Sequence, residues 1–263
     1  MSGQRDAFTR AKAPNILIMT ATVTPPPDCP GLVRLEAATR MGDYRSALSF
    51  YLRHLGKGID NIIFVENSGS DISVLRELVA KEGQEAFVHF HVYNGLNYPP
   101  SYGRCYGELR LLDEIMSTGL VAGFPADAVF WKVTGRYKVI NLRSMISNLP
   151  IEVDFYCDMR NSGQRPWFDM RFMAWTRDGY EAVLRGIWKY VREDNNQLRP
   201  GEEMAFKAIK PRLHNTRSCS NWVREPRIDG FRAYDGQNWI HGRQLLVYWL
   251  RNLQRRTIGR PIL

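Results

Sequence analysis

The chain has 263 residues, 36 Lys plus Arg against 27 Asp plus Glu, and a formal net charge of +9. Its 44% hydrophobic content excludes general disorder, its scattered Gly and Pro exclude collagen and long coiled coils, and no uncharged apolar run nears the ~18–20 residues of a membrane span. The opening MSGQRDAFTRAKAP lacks the apolar stretch of a signal peptide, so a cytoplasmic protein is expected, and the charge surplus leaves three partners open: nucleic acid, an anionic membrane surface or a phosphorylated small molecule.

Asn15 to Thr20, NILIMT, reads as a buried first strand. The following TVTPPPDCPG has three consecutive prolines and forms a long loop, since proline neither donates to a ladder nor continues a helix. Over Leu35 to Leu55, residues Ala38, Met41, Leu48, Tyr51, Leu52 and Leu55 share a helical face, stopped by Gly56-Lys57-Gly58. Asn61 to Val65 predicts a second strand running into the turn ENSGSD, where Asp71 can cap the helix ISVLRELVAKEG. Phe87 to Tyr93 is a third strand, NGLNYPPSYGRCYG a loop, Glu108 to Ser117 a helix and Ala128 to Val133 a fourth strand. Such alternation marks an α/β fold with a mainly parallel sheet flanked by helices, in which ligands bind outside the carboxyl ends of the strands.

Beyond residue 150 the alternation loosens. Glu152 to Cys157 and Phe168 to Trp175 read as strands, with a hairpin across MRNSGQRPW. Asp178 to Arg192 predicts a helix, and a short helix starts near Pro200 with Glu202 and Glu203 in its first turn, where carboxylates suit the helix dipole. Residues 211–238 are turn-rich, and Trp239 to Arg256 is helical. A single domain over 1–263 is expected, with a ligand-binding half at 15–150, a second half at 151–238 and a C-terminal helical elaboration at 239–263. Cys29, Cys105, Cys157 and Cys219 form no C-x-x-C pair, and a disulfide framework is not expected. His89 and His91 flank Phe90 on one strand face and read as strand-end or surface histidines rather than zinc ligands; no metal site is expected.

The strand ends carry the candidate chemistry. Thr20 and Thr22 follow strand one, and Glu66, Asn67 and Ser68 follow strand two. This last group offers contacts to a base or ribose, or else a turn that caps the next helix; both readings stay open. Lys132, Thr134, Gly135 and Arg136 end strand four, where Arg and Lys suit a phosphate. Gly107-Glu108 at a helix start offers backbone N–H groups to a phosphate, or is a plain turn. Asp158 with Arg160 is a metal ligand, a base or a structural ion pair. The G-x-G-x-x-G and G-x-x-x-x-G-K-[ST] fingerprints are absent.

In element order, and in the turn ENSG, the loop YGRCYGELRLLDEI, the strand FWKVTGRYKVIN and the segment DFYCDMRN, residues 15–175 resemble bacterial GT-A-like glycosyltransferases of surface polysaccharide synthesis, such as lipopolysaccharide O-antigen or capsule. The resemblance implies transfer of a sugar from a nucleoside diphosphate to a glycan or lipid-linked acceptor. Under it, Thr20, Thr22, Glu66, Asn67 and Ser68 contact the nucleoside, Lys132, Thr134, Gly135 and Arg136 lie near the diphosphate or sugar, and Asp158 and Arg160 face the transferred sugar. Asp158, Glu202 and Glu203 are the candidate bases, Glu203 at an acceptor-side position. The chain departs from the family in lacking an Asp-x-Asp: Thr134-Gly135-Arg136 stands in its place, which implies that Lys132 and Arg136 neutralise the diphosphate without a required cofactor, Asp158 remaining as a lone metal ligand otherwise. The last segment holds five Arg after residue 240, no acid and a broad apolar face; it is either a helix docked on the core or a peripheral contact to the inner face of the cytoplasmic membrane. The alternatives are a basic α/β module binding nucleic acid or anionic lipid, and another nucleotide-dependent transferase. No nucleic-acid motif appears, so nucleic acid is not an expected partner.

Overall fold

A computed structural model describes residues 13–162, 165–195, 200–240 and 242–258. The first half follows the anticipated alternation: β1 (Asn15–Ala21), α1 (Ala37–Leu52), β2 (Asn61–Glu66), α2 (Ser73–Lys81), β3 (Val88–Val92), α3 (Gly103–Met116), the short α4 (Gly119–Ala122) and β4 (Val129–Thr134). The chain continues through β5 (Lys138–Val139), α5 (Leu142–Ser147), β6 (Phe155–Tyr156), β7 (Met159–Ser162), β8 (Arg165–Phe168), β9 (Phe172–Trp175), α6 (Arg177–Val183), α7 (Gly201–Ile209), β10 (Ser218–Cys219), β11 (Ile228–Asp229) and α8 (Arg243–Ile258).

Seven strands form one sheet in the order β10-β6-β9-β4-β1-β2-β3. β1, β2, β3 and β4 run parallel, and β9 pairs antiparallel with both β4 and β6. β7 and β8 make the expected hairpin. Successive side chains of β1 point to opposite faces: Leu17 and Met19 pack in a layer with α1 and α2, while Ile16 and Ile18 pack with α3, α6 and α7. Burial on both faces explains why NILIMT is a continuous apolar run. Because β2 lies on one side of β1 and β4 on the other, the chain leaves β1 at a switch point, where the loops diverge and open a crevice.

Several boundaries differ from expectation. α3 starts at Gly103, five residues before Glu108, so Gly107 lies inside a helix rather than opening one. The turn into α3 needs φ = +84° at Gly103, open to glycine, and Tyr98 packs its hydroxyl against Gly107. α6 ends at Val183 and a short turn over Ile187–Tyr190 follows. There the Asp113 carboxylate gathers the Gly186 N–H (2.9 Å) and the Trp188 indole N–H (2.8 Å), geometry a continuous helix forbids. The strand at 152–157 shrinks to Phe155–Tyr156, because Asp154 is drawn to Arg217 (2.7 Å) and Glu152 takes φ = +62°.

The C-terminal helix is docked on the core by its own cations. Buried Arg255 donates to Glu225 (2.7 Å), Asp158 (2.8 Å) and the Trp222 carbonyl (2.9 Å). Arg251 also faces Glu225, at 3.6 Å. The outward side carries Leu246, Trp249, Leu250 and Leu253 instead. No helix among the described residues is long and apolar enough to cross a membrane.

Candidate functional site

At the end of β2, Glu66 is fully buried. Its carboxylate accepts the N–H groups of Val23 (2.9 Å), Ser68 (3.0 Å) and Ser70 (3.0 Å), and the Ser68 hydroxyl. Thr22 donates its hydroxyl to Asn67 Oδ1 (2.6 Å), and the Thr24 N–H donates to Ser68 Oγ (3.0 Å). ENSGS is thus a polar clasp that ties the proline-rich loop after β1 to the turn after β2. A buried carboxylate needs such donors, and a glutamate supplies acceptors for several at once. Asp71, one residue ahead of the N-cap Ile72 of α2, accepts the Ser73 N–H (2.8 Å). Of these candidates, Thr20 and Thr22 border the cleft described below.

At the end of β4 the cation Lys132 is wholly buried. Its ammonium meets Glu108 Oε1 at 2.6 Å, Thr134 Oγ1 at 3.2 Å and the Met170 carbonyl. Thr20 and Thr134 donate their hydroxyls to the same Glu108 oxygen, at 2.7 and 3.1 Å. Three predicted ligand contacts, Lys132, Thr20 and Thr134, therefore meet at one carboxylate of α3, whose role sequence reading missed. Gly135 donates its N–H to the Thr20 carbonyl at 2.8 Å. A Cβ there would lie 2.7 Å from that oxygen, so this approach of backbone to backbone requires glycine. Arg136 is buried beside Asp43 (3.7 Å) and donates to the Phe231 carbonyl (3.1 Å); Asp43 already pairs with Arg34 at 2.6 Å.

Above these groups, at the carboxyl ends of β1 and β4, lies a cleft of two lobes. They share Arg104, Tyr137, Met170, Arg171, Glu202 and Ala233. The inner lobe, about 170 Å³, has an apolar rim that includes Pro25, Pro26, Leu32, Leu96, Tyr98 and Pro100. Four arginines line it: Arg40 on α1, Arg104 on α3, Arg136 after β4 and the shared Arg171. Arg40 and Arg104 were not anticipated; both lie in helices whose apolar pattern gives no sign of a cation turned inward. The outer lobe, about 620 Å³, is bordered by Trp167, Tyr234 and Trp239 and by Glu202, Glu203 and Gln244. The buried Trp239 indole N–H meets no hydrogen-bond acceptor among the described residues.

Beneath the outer lobe the charges pair among themselves. Arg160 meets Asp158 (2.6 Å) and Asp169 (2.7 Å), while Arg171 donates its backbone N–H and its Nε–H to Asp169, each at 2.9 Å. Burial opposes ionisation of Asp169, but Arg171 and Arg160 outweigh it and hold the carboxyl well below its ordinary value. Asp158 is enclosed in this network with Arg255 on its other oxygen, so both of its oxygens are occupied by guanidinium groups, and burial raises its carboxyl against their pull. Glu203 accepts from Lys207 at 2.8 Å, one turn along α7. Glu202 differs: it borders both lobes, and burial pushes its carboxyl up, with Arg104 pulling the other way.

Among the described residues no three His, Cys, Asp or Glu side chains gather as a metal site. At the end of β4 the Lys132 ammonium and the Thr20 and Thr134 hydroxyls already occupy Oε1 of the Glu108 carboxylate. His89 and His91 face Asn61 (3.1 Å) and Glu114 (3.4 Å) on β3.

No family model and no curated protein matches this chain. Solved structures with a similar arrangement include the glycosyltransferase GlyE of Streptococcus pneumoniae TIGR4 (8% identity, TM-score 0.48, 79% of this chain and 45% of that one). The mannosyltransferase Ktr4p of S. cerevisiae aligns at 9% identity and TM-score 0.45, over 75% and 66% of the two chains. The galactosyltransferase LgtC, solved with donor and acceptor sugar analogues, aligns at 13% identity and TM-score 0.45, over 80% and 74%. At this level of likeness the functional reading rests on the chain's own geometry.

Proposed function

We propose that this chain is a glycosyltransferase of GT-A type that moves a sugar from a nucleoside diphosphate to a glycan or lipid-linked acceptor. One observation carries it: a two-lobed cleft at the strand switch point, with a cationic inner lobe, an aromatic outer lobe and Glu202 at their junction. The apolar rim of Pro25, Pro26 and Tyr98 suits a nucleobase, and Arg104 and Arg136 suit the diphosphate behind it. Trp167 and Tyr234 offer flat apolar faces to the C–H side of a sugar ring.

In the transfer, the bond between sugar C1 and the diphosphate oxygen breaks, and the electron pair leaves on the diphosphate. The acceptor hydroxyl oxygen bonds to C1, and its proton passes to the Glu202 carboxylate. The guanidinium groups of the inner lobe neutralise the charge that grows on the leaving group, the task a divalent cation performs elsewhere. Arg136 lies at the end of β4, and Lys132 acts one layer below by fixing Glu108.

The test is a panel of nucleoside diphosphates and nucleotide-sugars, read by melting temperature and by released nucleotide. A ligand at 100 times its Kd stabilises by about 2.7 kcal/mol, or roughly 5–10 °C for a chain of this size. If no nucleotide or nucleotide-sugar shifts the melting temperature at millimolar concentration, the proposal fails.

A further inference from the structure

Arg40 is 5% exposed, yet it borders the inner lobe. Its Nε donates to the Thr22 carbonyl (2.8 Å), one Nη to the Arg34 carbonyl (3.1 Å) and the other to the Tyr44 hydroxyl (3.2 Å). All three partners are neutral oxygens. Among the described residues Arg40 has no carboxylate at ion-pair distance, and the nearby Asp43 already serves Arg34 and Arg136. A guanidinium has five N–H donors, so these three bonds leave one N–H free on each terminal nitrogen. A buried cation without a counter-ion is costly to keep. Here two carbonyls, the Tyr44 hydroxyl and the Tyr44 ring face (5.9 Å) hold the planar group in place with no opposite charge among the described residues, the arrangement that an arriving anion completes.

We infer that Arg40 is the buried anchor for a pyrophosphate group in the inner lobe, gripping one phosphate with its two terminal nitrogens. Two parallel N–H bonds match the spacing of phosphate oxygens, whereas a single ammonium does not. Beneath the outer lobe Arg160 and Arg171 face the carboxylates of Asp158 and Asp169, which favours anion recognition at this end of the cleft instead. The inference rests on the proposed donor only for what carries the pyrophosphate, a nucleoside or nothing.

The full-length chain and its Arg40→Gln variant are titrated calorimetrically with inorganic pyrophosphate, UDP and uridine. Arg40→Gln is expected to weaken pyrophosphate and UDP by on the order of 10- to 100-fold and to leave uridine unchanged. Unchanged pyrophosphate affinity overturns the inference. So does a loss for uridine as large as that for UDP, because a merely structural arginine would collapse the whole lobe. Should Arg40→Gln not fold, as read by circular dichroism, Arg40→Lys decides: it keeps the charge and loses the fork, so pyrophosphate should weaken several-fold, and wild-type affinity overturns the inference. Pyrophosphate bound through Arg40 with no nucleotide bound retains the anchor and removes the glycosyltransferase proposal. UDP bound equally by wild type and Arg40→Gln does the reverse.

Discussion

Replacing Lys132 by Met separates a ligand contact from a structural charge. The ammonium is fully buried and sits 2.6 Å from Glu108, whose side chain is 21% exposed. At an effective dielectric of about 20, their attraction is about 6 kcal/mol, largely offset by the desolvation of both groups. Removing one partner of a buried pair costs ~3–5 kcal/mol, because the other is left uncompensated. Since Glu108 retains some water and the Thr20 and Thr134 hydroxyls, Lys132→Met belongs near ~3 kcal/mol, roughly 6–12 °C in melting temperature. Glu108→Gln strands a fully buried ammonium and costs more, ~4–5 kcal/mol. The double variant removes both charges and should cost less than the two singles together, with a coupling of ~2 kcal/mol or more. The assay is guanidinium unfolding followed by circular dichroism, with UDP affinity measured on the same samples. If Lys132→Met stays within ~1 kcal/mol of wild type while UDP affinity falls more than ~10-fold, Lys132 touches the donor and the structural assignment is wrong.

Three further outcomes follow from the same geometry. Glu202→Gln should cut turnover by ~10²–10⁴ while nucleotide affinity and melting temperature hold; because burial raises this carboxyl, the acid limb of wild-type activity should lie above the usual carboxylate range, and a limb at the usual value would remove Glu202 as the base. Gly135→Ala forces a Cβ to within 2.7 Å of the Thr20 carbonyl and should cost ~1–3 kcal/mol by chemical denaturation; a neutral result would show that the β1 and β4 ends are not held together there. Asp169→Asn leaves Arg160 and Arg171 short of a partner and should cost ~3–5 kcal/mol at neutral pH. The depressed carboxyl contributes stability above its unfolded-state value, so wild type should lose that contribution as pH falls below about 4 and the variant should not, a difference read from stability against pH.

The order of elements was legible without coordinates because it is written in local periodicity. NILIMT and NIIFVE are apolar runs between polar breaks, and the triple proline after β1 can only be loop. In such a fold the strand ends are where loops diverge, and Thr20, Thr22, Thr134 and Arg136 border the cleft there. What periodicity cannot carry is pairing across long sequence separations. Nothing local says that Lys132 spends its charge on Glu108, that Asp158 is enclosed by Arg160 and by Arg255 from a helix 97 residues away, or that Glu66 clasps two loops. The charge of +9 shows the same division. Composition determined that a surplus exists, but only the tertiary structure decided which cations are matched. Arg255 and Arg171 find carboxylates inside, whereas Arg40 is buried facing a cleft with none at ion-pair distance among the described residues. The reason is physical: a charge in a low-dielectric interior is governed by what lies within a few ångströms in space, and that neighbourhood is set by how the sheet brings distant segments together.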